Sequence, residues 1–119
     1  MRECKSMAKF LDGPAGGVTL NLKRLPRWVR VVIDQSGAVD ALDQLEDEVR
    51  PGEFAFVYRM KGEVQRVIAC SRERGCQRME LADYEFYAEQ PPQETLRSND
   101  AWQAWATAEN TKAQGESSE

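Results

Sequence analysis

The sequence predicts a mainly β fold: a small antiparallel barrel or sandwich of about six short strands, with a short central helical segment and an appended C-terminal helix. Three observations lead there. Short runs alternate apolar with polar residues, the period of a half-buried strand. Gly or Pro punctuates the gaps between these runs. Helical spacing, in steps of three and four residues, occurs in only two places, around residues 39–49 and 98–113. At 119 residues, one domain with an appendage is expected.

Residues 1–7 read as a flexible N-terminal extension. If Met7 is the native start, as "MAKFLDGP" suggests, then "MRECKS" is an upstream piece. The β domain is expected over residues 8–90. Its first run, "AKFL", leads into "DGPAGG". There Gly13, Gly16 and Gly17 supply positive φ angles, Asp12 bonds to nearby backbone amides and Pro14 fixes one turn position. "VTLNL" then alternates Val18, Leu20 and Leu22 with polar residues, completing a hairpin. After Pro26, "WVRVVID" puts Val29, Val31 and Ile33 on one face and Trp28, Arg30 and Val32 on the other. Beyond the Ser36-Gly37 turn, Val39, Leu42, Leu45 and Val49 recur at helical steps until Pro51-Gly52, which predicts a short helix or helical turn. "FAFVYRM" and "VQRVIACS", separated by "KGE", read as a second hairpin. "RERGCQ" turns into "RMELADYEFYAE", one last strand or a pair of short ones. Residues 91–97 form a proline-containing linker. Ser98, Asn99 or Asp100 caps a helix over 98–113, with Trp102 and Trp105 one turn apart. Residues 114–119 read as a disordered tail.

Composition excludes several chemistries. Histidine is absent, which removes Ser-His and Cys-His nucleophilic sites, and the spacing of the three cysteines fits no zinc half-site. Cys70 and Cys76 read as a small apolar residue at a strand end and a residue just past a turn, or as a disulfide across that turn in an oxidising setting. The glycine loop lacks the Lys-Ser/Thr and the following helix that a phosphate loop requires. No apolar run approaches the roughly 18 residues of a membrane span, and the N-terminus has no apolar signal region, so cytoplasmic residence is expected. No catalytic residue, metal or cofactor is expected. Asp40, Asp43 and Asp47 share a face if their segment is helical, which fits either a solvated face or a hard cation.

Charge falls in blocks: 7 Lys+Arg against 3 Asp+Glu in residues 1–39, 1 against 6 in 40–53, 6 against 2 in 54–78, and 2 against 9 in 79–119. "KRLPRWVR", with Lys23, Arg24, Arg27 and Arg30 around Trp28, and the cluster Arg72, Arg74 and Arg78 form the competing signal for nucleic acid: cations for phosphates, an indole for a base. Trp102 and Trp105 either pack back on the sheet or anchor a partner.

"KFLDGPAGGVTLNLKR", "VDALDQLEDEVRPGE" and "VYR" resemble segments of small uncharacterised proteins of actinobacterial phages and prophages, which share an "LDGP" opening and a "DALDQLDDE"-like centre. The resemblance covers roughly residues 8–88 and implies no chemistry; the "QPPQETLRSNDAWQAW" tail departs from it. Together these readings lead us to expect a phage-encoded, non-catalytic protein-binding module that modulates a host or defence protein. Its partner-binding residues are Asp40, Asp43, Glu46, Asp47, Trp102 and Trp105. A virion component (minor capsid or decoration protein) and a nucleic-acid binder using Lys23, Arg24, Arg27, Trp28 and Arg30 are the alternatives. A protein partner or a second copy is expected, and no membrane.

Overall fold

The computed structural model describes residues 5–42 and 49–117, with side chains as far as residue 112. Six strands, β1 (Lys5–Phe10), β2 (Thr19–Leu22), β3 (Trp28–Ile33), β4 (Val39–Leu42), β5 (Phe54–Ser71) and β6 (Gly75–Phe86), form one mixed sheet in the order β2-β1-β6-β5-β3-β4. The two edge strands approach each other, so the sheet nearly closes into a barrel. Four pairings are antiparallel; β1 runs parallel to β6. Two helices follow, α1 (Gln93–Arg97) and α2 (Asn99–Ser117).

The sheet carries a core on each face. Inside the barrel, Ala8, Phe10, Val29, Val31, Tyr58, Ala82 and Tyr84 pack together; outside it, Trp28, Val32, Ala55 and Val57 pack against Leu96 and Trp102 of the helices. β3 lies between the two cores, which is why Trp28 through Val32 are all buried. Its alternation puts Val29 and Val31 inward and Trp28 and Val32 toward the helices, the facing that its period of two requires.

Four local expectations change. Val39–Leu42 is a strand: its pairing with β3 turns Val39 and Ala41 to the barrel core and leaves Asp40 exposed, a period of two that the spacing of Val39 and Leu42 concealed. The rest of the expected central helix, residues 43–48, lies outside the described residues. "KGE" does not reverse the chain. β5 runs through it as one strand of 18 residues, with a bulge between Lys61 and Gln65 where Gly62 takes φ +78°. β1 begins at Lys5, with Ser6 buried, so residues 5–7 belong to the sheet rather than to a flexible extension. α2 continues through Ser117, into the expected tail. Of the three candidate caps, Ser98 serves: its Oγ accepts from Ala101 N at 3.3 Å and its carbonyl from Trp102 N at 2.9 Å.

The expected linker is a device that covers a strand edge. β6 leaves β5 at the Tyr58–Phe86 pair; Tyr87 N still donates to Val57 O at 3.1 Å, but beyond it Val57 N and both backbone groups of Ala55 have no strand partner. Gln93 accepts from Ala55 N at 3.2 Å and donates to Ala55 O at 2.8 Å. Gln90 accepts from Val57 N at 2.9 Å and donates to Val57 O at 3.0 Å. Two side-chain amides thus stand in for a missing strand, and α1 carries Leu96 into the outer core.

Candidate functional site

The glycine loop closes one end of the barrel. Gly16 N donates to Gly13 O, Gly17 N to Phe10 O and Val18 N to Ala15 O. Ala15 N donates to Tyr58 Oη at 2.7 Å, and that hydroxyl donates to Asp12 O at 2.8 Å. The amides an anion would need are therefore engaged, and the loop is a plug. Two details differ from expectation. Gly16 has φ −57°, whereas Gly13 and Gly17 are positive. The Asp12 carboxylate accepts not from a neighbour but from Phe86 N, at 2.8 Å. Gly13 has no room for a Cβ, because the Phe86 side chain lies 2.7 Å from where that atom would stand.

Two of the expected binding surfaces are packed against each other. Arg30, read as a phosphate contact, is 1% exposed: it donates to Leu96 O at 2.7 Å and to Asn99 Oδ1 at 2.6 Å, and its guanidinium lies 5.5 Å from the centre of the Trp102 ring. Trp28 is also buried, donating from Nε1 to Asn110 Oδ1 at 2.8 Å. Trp105 meets Trp28 edge-on with ring centres 5.1 Å apart and stacks on Trp102 at 5.4 Å. Trp102 is buried and Trp105 half-buried, so the tryptophan helix folds back on its own sheet. Neither Trp28 nor Arg30 is presented to a nucleic acid, and Trp102 is not presented to a protein partner.

Of the remaining expected residues, Lys23, Arg24 and Arg27 are exposed. Arg24 and Arg27 border a cleft of about 170 Å³ floored by Trp28 and Trp102 and walled by α2. Asp40 is exposed and accepts from Ala41 N at 2.8 Å; Asp43, Glu46 and Asp47 lie outside the described residues. Tyr87 closes the aromatic cluster against Trp28. Burial, aided by its hydrogen bond to Glu109, pushes its phenol up to about 12.

The second basic cluster of the sequence, Arg72, Arg74 and Arg78, is exposed and sits on a feature that sequence reasoning missed, an arm. Beyond the bulge, β5 and β6 continue as a two-stranded ribbon to a tight turn, and residues 65–76 are exposed throughout. Ile68 is 70% and Val67 39% exposed. Cys70 and Cys76 face each other across the strands and form a disulfide, the pairing the sequence left open. In the turn, Arg74 N donates to Ser71 Oγ, and Gly75 takes φ +73°. The legible signal was "RVIACS", which has apolar side chains on both faces of a strand and no second element left to cover them. No helix among the described residues is long and apolar enough to cross a membrane. No family model matches the chain, and no curated protein or solved structure is similar to it.

Proposed function

We propose that the chain is a non-catalytic binding module, of the kind a phage encodes to act on a factor of its host, and that it engages its partner through the β5–β6 arm. The observation that carries this reading is the exposure of Ile68 and Val67 on a covalently closed ribbon that adds nothing to either core. A monomer gains nothing from holding such side chains in water, and a partner that covers them does. The place of action is the host cytoplasm, where the disulfide forms only under oxidation.

Host lysate, nuclease-treated or untreated, is passed over the immobilised full chain and over Ile68→Asp, with and without reductant. The module reading expects a retained macromolecule that Ile68→Asp loses. Equal retention by both chains overturns it. Cutting the chain at Gln90 is not a usable control, because that removes Leu96 and Trp102 from the outer core.

A further inference from the structure

Resting on that reading, we infer that the arm's partner is duplex nucleic acid, gripped by Arg66, Arg72, Arg74 and Arg78 with Ile68 set between them. The register decides which side chains act together. Ile68 is paired with Arg78, and Arg66 with Glu80, so these share one face, while Gln65, Val67, Ala69, Gln77 and Met79 occupy the other. One face and the turn are cationic; the opposite face has no charge. Arg66 contacts Glu80 at 3.3 Å, yet its side chain remains 85% exposed. No ion pair among the described residues engages Arg72, Arg74 or Arg78.

Shape and composition select the partner. Two strands ~4.8 Å apart form a ribbon that fits a major groove about 12 Å wide, and from Arg66 to Ser71 the arm is about 17 Å long. Between Tyr58 and Tyr84 there is no aromatic residue. The arm therefore lacks the stacking platforms that hold single strands and the Trp and Tyr anchors on which protein interfaces concentrate their energy. What it has is guanidinium groups, which pair with phosphates and with the major-groove edge of guanine, and an aliphatic side chain for base-step or methyl contacts. Residues 79–119 carry 9 acidic against 2 basic residues. A polyanion is thus repelled from that part of the chain and met by the arm.

The test is fluorescence anisotropy with a labelled DNA duplex and a single strand of the same length, across 50 to 200 mM salt. Duplex is expected to bind more tightly than single strand. Three to four phosphate contacts give a slope of log K against log salt of about −2.7 to −3.6, so affinity falls roughly 40-fold or more over that range. R72A/R74A/R78A is expected to flatten the slope to about −1, and Glu73→Gln, which removes an acidic group from the turn, to tighten binding. Misfolding cannot mimic that second result. Absence of duplex binding at 50 mM salt, equal or tighter binding of the single strand, or an unchanged slope in the triple variant overturns the inference. If no duplex binds but Ile68-dependent capture of a nuclease-resistant partner persists, the nucleic-acid assignment fails and the module reading stands. Loss of both overturns both.

Discussion

Arg30 and the tyrosines show how little a residue's type says until its neighbours are placed. A basic residue in "WVRVV" looked like a phosphate contact; its position on the face shared with Trp28 and Val32 was the better guide, because that face meets the helices. There the guanidinium satisfies the Leu96 carbonyl in the last turn of a short helix and a side-chain amide at the start of the next. Arg30→Ala removes both bonds and opens space beneath Trp102, so it is expected to cost about 3 kcal/mol, read as a lower urea midpoint at unchanged slope. All three tyrosines are held above their usual range: Tyr58 and Tyr84 chiefly by burial, Tyr87 by burial and the Glu109 carboxylate, to about 12. Above pH ~10 the unfolded chain releases phenol protons that the folded chain keeps. Stability is therefore full below pH 10 and falls as pH rises from 10 toward 12. Phenolate absorbance is expected to appear together with unfolding; independent titration of a tyrosine near pH 10 in the folded protein contradicts this.

At the scale of elements, what was legible followed from period and what was missed followed from pairing. The inward and outward faces of β3, the glycine-loop hairpin and the C-terminal helix were readable from local spacing, whereas the count of six strands agrees only because β5, read as two strands, offsets β4, read as helix. The length of β5 was not, since a Gly that permits a hairpin also permits a bulge, and only β6, with partners on both sides of the irregularity, decides between them. Nor was the role of "QPPQ", because glutamines that complete a strand edge look like any polar linker. The arm is an element in its own right, and its disulfide is local to it. Cys70→Ser with Cys76→Ser is expected to lower hydrogen-exchange protection of the amides from Gln65 to Arg78 at least tenfold. The melting temperature is expected to shift by less than a few degrees, because the bond closes a short loop far from either core. A fall of the whole melting curve instead shows that the arm supports the barrel.

For the molecule as a whole, the fold class was legible, and which side chains the fold buries was not. Alternation and turn residues announce a small β domain, and the sheet agrees with them. Trp28, Arg30 and Trp102 are unavailable for a shared reason: the tryptophans and the basic strand are each other's partners, and a single chain read in order does not reveal that Arg30 and Trp102 meet. The charge blocks follow the elements: the basic stretch from 54 to 78 includes the arm and the acidic stretch from 79 to 119 includes the helices. The parallel pairing of β1 with β6 has a consequence for the birth of the protein. Lys5 pairs with Met79, a residue that leaves the ribosome 74 residues later. At about 5 to 20 residues per second, one side of the first strand waits roughly 4 to 15 seconds for its template. During that interval the nascent hairpin of β1 and β2 shows the cell an open β edge, the kind of surface that holding chaperones cover and neighbouring nascent chains can capture. The β1–β6 pairing that completes this sheet therefore cannot precede the synthesis of β6.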